Sequence, residues 1–228
     1  MPDTCQNIIK EYEEFAYVVS HDLKGAIRQL QSFSELFADS FECDLTEKQQ
    51  TYKDIIDEIS ENTTKILEAL TKYSRLNSQE WAFSETDLNE VVSEILKNND
   101  EKIKELKAII TTNNLPIVTG NKTLLTDLFS CLLDNALKFQ EKGKTPKINI
   151  GLDNSNGKEV IYIQDNGTGF DPEKIEQAFT ILRTLEKNDG LGVGLSFAKK
   201  IVQKHGGSIC IDTKPGNGTR VSFYFGCN

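Results

Sequence analysis

The residues able to do chemistry fall into a few short groups. His21 and Asp22 stand side by side within Phe15–Arg28, FAYVVSHDLKGAIR. A neutral imidazole offers a nitrogen lone pair, and the adjacent carboxylate can accept the other ring N–H and stabilise the cation formed on attack. The pair is a candidate nucleophile and base. Further on, Asp134-Asn135-Ala136-Leu137-Lys138-Phe139 places an amide and an ammonium three residues apart, on one face of a helix. An amide oxygen can ligate Mg²⁺ while the lysine meets phosphate. Three glycine clusters follow: Asp165-Asn166-Gly167-Thr168-Gly169-Phe170, Gly190-Leu191-Gly192-Val193-Gly194-Leu195 and Gly216-Asn217-Gly218-Thr219. Glycine lets a backbone approach a ligand closely, and the second cluster opens a predicted helix whose first N–H groups suit phosphate oxygens. Any one cluster could mark an ordinary turn. Their order after the amide-bearing helix points to a nucleotide site.

The elements that must position these groups follow from periodicity. Apolar residues at Ile8, Tyr12, Phe15, Val19, Leu23, Ala26, Leu30, Phe33 and Phe37 step by three or four, which predicts a long amphipathic helix. His21 lies two residues beyond Val19, roughly 200° around the helix, and is expected to face water. After the polar stretch Asp39–Thr46, with Thr46 as N-cap, a second stripe runs through Tyr52, Ile56, Ile59, Thr63, Ile66, Leu70 and Tyr73. Two long helices with a short connection predict an antiparallel hairpin. One hairpin cannot bury both stripes, so a second copy in a symmetric four-helix bundle is expected, a homodimer.

Leu76–Ser84 reads as a linker, so residues 1–80 and 81–228 are expected to form two domains. In the second, helices are expected over Asp87–Lys107, Asn121–Gln140 and Gly192–His205. Strand-like runs are expected at Ala108–Thr112, Pro116–Val118, Lys147–Leu152, Val160–Gln164, Ser208–Asp212 and Thr219–Phe225. Helices with a mixed, largely antiparallel sheet make a two-layer α/β sandwich, and the whole an α+β protein. His205, before Gly206-Gly207 at a helix end, is read as a cap on the terminal carbonyls.

Composition narrows the partners. The formal charge of −9 is concentrated in residues 1–80, with 8 Lys/Arg against 16 Asp/Glu. Such a surface repels nucleic acid and anionic membranes and favours a protein partner. No apolar run approaches a bilayer span and the first ten residues lack a signal-peptide pattern, so a soluble, cytoplasmic chain is expected. Five scattered cysteines without a Cys-x-x-Cys pair suggest neither a disulfide framework nor a zinc site, with Cys43 the candidate for a redox switch.

In this order the motifs resemble those of sensor histidine kinases of two-component systems. These join a dimerisation and histidine-phosphotransfer hairpin to an ATP-binding domain of the GHKL (Bergerat) type. The phosphoacceptor box corresponds to Ser20–Arg28, the N box to Cys131–Phe139 and the glycine boxes to the three clusters. The resemblance implies autophosphorylation of His21 by ATP, with Asp22 as base, then transfer to an aspartate on a response-regulator receiver domain. It further implies that Asn135 holds Mg²⁺, Lys138 touches phosphate and Asp165 accepts from the adenine amino group. Gly167 and Gly169 would shape the adenine end, and Thr219 would support it. Gly190, Gly192, Gly194 and Leu195 would line the triphosphate. Asp171–Asp189 would be the ATP lid, with Arg183 toward the γ-phosphate.

Three positions depart from the family pattern. Cys131 stands where many relatives have Asn in the N box. The lid reads AFTILRTLE, and Gly25-Ala26 replaces a small or hydroxyl residue followed by proline. Gly25 lies where phosphatase-competent kinases carry Thr or Asn, so little phosphatase activity is expected. A catalytically weak scaffold or phosphotransfer module is the competing expectation. With only 20 residues before His21, the input is expected from a domain outside this sequence or from a separate sensor protein.

Overall fold

The computed structural model describes residues 2–41, 45–141, 143–155, 158–184 and 192–226, and within these not the side chains of 2–18, 21, 77, 78, 155 and 158. The chain divides into two units, Met1–Glu80 and Trp81–Asn228.

The first unit is a pair of helices, α1 (Pro2–Asp39) and α2 (Glu47–Ser78), packed on one another. Thr46 caps α2 as its position predicts. Its side chain accepts the Gln49 N–H and the Gln49 side chain accepts the Thr46 N–H at 2.9 Å, a reciprocal capping box. The expected linker begins later than Leu76, because α2 continues to Ser78 and closes with the Gln79 N–H on the Arg75 carbonyl. The half-buried face of α1 runs through Lys24, Ile27, Gln31, Ser34 and Ala38, and Lys24 reaches Glu68 of α2 at 2.8 Å. The apolar stripe is turned elsewhere: Leu30, Phe33 and Phe37 are 53%, 68% and 66% exposed, and Ile59 on α2 is 59% exposed. Periodicity marks a face for burial, but not the element that covers it.

The second unit begins with β1 (Ser84–Asp87), then α3 (Leu88–Asn98) and α4 (Asp100–Glu105). The single helix expected over Asp87–Lys107 is thus two. Asp87 is the N-cap, accepting the Asn89 N–H, and Asn99 interrupts the run with its side chain on the Ile95 carbonyl. Asparagine competes in this way for helical backbone groups. β2 (Ile109–Thr112) and β3 (Ile117–Gly120) follow, and β3 pairs antiparallel with β1. Next come α5 (Lys122–Lys138), β4 (Lys147–Ser155) and β5 (Lys158–Asp165). A 3₁₀ turn at Pro172–Lys174 leads into α6 (Ile175–Ala178), and α7 (Gly194–Lys204), β6 (Ser208–Thr213) and β7 (Thr219–Tyr224) complete the unit.

Five strands form one sheet in the order β2-β4-β5-β7-β6, in which only β2 and β4 run parallel. This is the mixed sheet of an α/β sandwich. Leu124, Leu125, Leu128, Phe129, Leu132, Leu133, Ala136 and Leu137 bury one broad side of α5; Phe197, Ala198, Ile201 and Val202 do the same for α7. Alternate residues of the strands, including Ile148, Ile150, Ile161, Ile163, Val221 and Phe223, are also buried. Phe129 and Phe223 meet edge-on at 5.7 Å, tying helix layer to sheet. Each such large side chain contributes about 1.5–3 kcal/mol by leaving water. Among the described residues, no helix is long and apolar enough to cross a membrane.

Candidate functional site

Asp165 ends β5, and its side chain organises the turn that follows. Oδ1 accepts the Gly167 N–H at 2.8 Å and the Thr219 N–H at 3.2 Å, so one carboxylate oxygen joins the first glycine cluster to the third. Burial pushes the Asp165 pKa up, opposed by those two N–H groups. Glycine is required where the two loops close on each other. Gly218 has φ +80°, and a Cβ there would lie 2.1 Å from the Asp165 carbonyl oxygen. Gly169 has φ +57° and abuts the Lys214 carbonyl. The Gly216 N–H donates to the Thr168 carbonyl at 2.6 Å, closing the clasp from the other side.

The end of α5 and the start of α7 bring in the remaining groups. The Thr168 N–H donates to the Phe139 carbonyl at 2.9 Å, which holds the Asp165 loop against the end of α5. Asn135, one turn earlier, lies beside Gly194: a Cβ on that glycine would be 3.4 Å from Asn135 Nδ2. Lys138 Nζ sits over the Phe139 ring at 4.8 Å. The start of α7 has no side-chain cap, since Val193 at the N-cap offers none, and the first N–H groups of a helix have no partner within it, which suits them to an anion. The helix begins at Gly194 rather than at Gly192, which has φ +63°. The arrangement offers a half-buried carboxylate for an amino group, an amide, an ammonium, and a helix start suited to phosphate.

The other predicted residues are placed as follows. Leu195 is half-buried in the first turn of α7, and Thr219 contacts the Thr213 hydroxyl at 3.2 Å. Arg183 is exposed, with its backbone against Gly192, and the Leu182 N–H donates to the Gly192 carbonyl at 2.9 Å. Gly190 lies outside the described residues, as do Cys43 and the His21 side chain. Asp22 is exposed on α1. Cys131 is half-buried one helical turn before Asn135, and Cys210 is exposed; neither is in a disulfide.

The arrangement matches a known family. A model for the histidine kinase-, DNA gyrase B-, and HSP90-like ATPases matches residues 120–227. Phytochrome-like protein Cph1 of Synechocystis is 33% identical over 219 residues, covering 94% of this chain and 29% of that protein. Methanogenesis regulatory histidine kinase FilI of Methanothrix harundinacea is 27% identical over 223 residues, 93% of this chain and 24% of its own length. The chain belongs to the sensor histidine kinases. It spans less than a third of the length of either relative. The fold of this chain is shared with full-length ShkA, solved in complex with AMPPNP: TM-score 0.70 at 18% identity, over 94% of this chain and 47% of that one.

Sequence reasoning overlooked Thr213 and the Phe139 carbonyl. Thr213 is buried, accepts the Phe170 N–H at 3.1 Å and donates to the Gly218 carbonyl at 3.2 Å. A threonine at a strand end carries no signal of this. Phe139 stood within the amide-bearing motif, but a backbone oxygen's role is invisible in residue type.

Proposed function

We propose that this chain is an ATP-dependent protein histidine kinase. It would bind Mg·ATP at the Asp165–Asn135–Gly194 site, autophosphorylate His21 and pass the phosphoryl group to an aspartate of a response regulator. The observation that carries this is the meeting of the Asp165 and Gly218 loops with Asn135 and the uncapped start of α7. The residues fit the nucleotide: Asp165 accepts twice through Oδ1, leaving Oδ2 for the adenine amino group, and the α7 N–H groups suit the phosphates. They fit Mg²⁺ as well, since Mg²⁺ takes few protein ligands beside substrate phosphates, and Asn135 supplies an amide oxygen. The bound ion would neutralise phosphate charge.

In the transfer step an imidazole nitrogen of His21 forms the N–P bond as the bond from the γ-phosphorus to the bridging oxygen breaks. The electron pair leaves with ADP, and Asp22 takes the ring proton. The exposed stripe at Leu30, Phe33, Phe37 and Ile59 supports a homodimer through the hairpin, which would bury it.

The test is incubation with Mg²⁺ and γ-labelled ATP. Acid-labile label on the native chain, lost in His21→Ala and in Asn135→Ala, is the expected result. Nucleotide binding without label would refute the kinase and leave a scaffold or phosphotransfer module.

A further inference from the structure

His205 takes no part in the chemistry above, yet it is 1% exposed and sits where two helices end. It is the C-cap of α7. Its Nδ1 lies 2.8 Å from the Ile201 carbonyl oxygen, and its Nε2 lies 3.2 Å from the backbone nitrogen of Asn121, the N-cap of α5. These partners locate the proton. A carbonyl can only accept, so Nδ1 carries the hydrogen; a backbone N–H can only donate, so Nε2 presents its lone pair. The ring is therefore neutral, and burial holds its pKa below the ordinary value. Phe83 and Phe225 flank it at 4.8 and 5.3 Å between ring centres. Gly120 leaves the space: a Cβ there would lie 3.0 Å from Cδ2 and Nε2 of the ring.

The helices α5 and α7 pack together in opposite directions, with Asn121 and His205 at one end and Asn135 beside Gly194 at the other. Fourteen residues of helix, about 21 Å, separate the two ends. Asn135 faces the Gly194 turn directly: a Cβ on Gly194 would lie in ordinary van der Waals contact with the amide, 3.4 Å from Nδ2 and 3.6 Å from Oδ1. Because α5 is one uninterrupted helix from Lys122 to Lys138, a shift of α5 along α7 at the His205 end reappears at the Asn135 end.

We propose that His205 is a positioning residue: its two hydrogen bonds pin the start of α5 to the end of α7 and thereby hold Asn135 in register with the turn at Gly194. This rests on the nucleotide site proposed above.

The test is calorimetric binding of Mg·AMPPNP to the full chain and to three variants, with a thermal melt of each. His205→Phe keeps aromatic packing and loses both hydrogen bonds. In His205→Asn the amide nitrogen falls near Nδ1 and restores only the Ile201 bond, whereas His205→Gln places an acceptor near Nε2 and restores the Asn121 bond. Phe and Asn are expected to weaken AMPPNP binding by about three- to tenfold, with Gln within about twofold of the native chain. Native-like binding by all three variants, whatever their melting temperatures, overturns the proposal, as does a Gln variant as weak as Asn. Should the Phe variant not fold, the Asn–Gln comparison decides. Absence of binding by the native chain is a separate result, which overturns the nucleotide site and the positioning role with it.

Discussion

Asp165→Asn separates a ligand contact from a structural one at a single atom. Both backbone hydrogen bonds to Asp165 land on Oδ1, at 2.8 and 3.2 Å, and asparagine keeps an acceptor there. The second oxygen becomes an NH₂ group. An adenine amino group directed at it then meets a donor in place of a charged acceptor. A hydrogen bond to a charged group contributes about 1.5–3 kcal/mol. Nucleotide affinity should therefore fall by roughly 10- to 150-fold. Stability should move the other way. Burial raises the Asp165 pKa above its ordinary 3.8 and outweighs the two N–H groups. Between those values the folded chain holds more protons than the unfolded chain, so stability is lost as pH rises through that window. At neutral pH the ionised carboxylate is a cost to the fold that asparagine removes. Titration with Mg·AMPPNP and a thermal melt at about pH 7 should give weaker binding together with an equal or higher melting temperature. Unchanged affinity would refute the adenine contact, and a lowered melting temperature would refute the electrostatic reasoning.

Other outcomes follow from the same geometry. Phe33→Glu places a charge on the exposed stripe, 68% exposed at that residue, and should convert a dimer to a monomer in light scattering; a monomeric native chain would count against the dimer. Gly25→Asn should fold without rearrangement, because no heavy atom lies within 4 Å of a Cβ at Gly25, and should gain dephosphorylation of the proposed response regulator, for which little activity is expected in the native chain. Robust phosphatase activity in the native chain would contradict this. For His205 the folded-state pKa lies below the ordinary 6.5, so the unfolded chain binds more protons in that window. The second unit should lose stability as pH falls below about 6.5, seen as a falling denaturant midpoint, and His205→Gln should flatten the dependence. A native midpoint flat across that range would refute the neutral tautomer.

What the sequence by itself determined is local. The amphipathic runs of α1, α2, α5 and α7 state their helical period, Thr46 announces a cap, and the glycines at 169, 192 and 218 mark left-handed or crowded backbone that other residues resist. These signals need only near neighbours in the chain, which is why the hairpin, the sheet-and-helix layers and the order of the clusters could be read directly. Tertiary structure decided whatever joins distant segments. It paired β1 with β3, a strand absent from the pattern because Ser84–Asp87 is polar and four residues long. It brought the Asp165 carboxylate to the Thr219 N–H, 54 residues away, and made the Phe139 carbonyl and Thr213 part of the clasp. It turned the apolar stripe of α1 out of its own hairpin. It set the His205 ring against Asn121, 84 residues earlier in the chain, where residue type suggested only a helix cap. Backbone groups carry no identity in a sequence, and a hydrogen bond across such separations depends on the packing of everything between its ends.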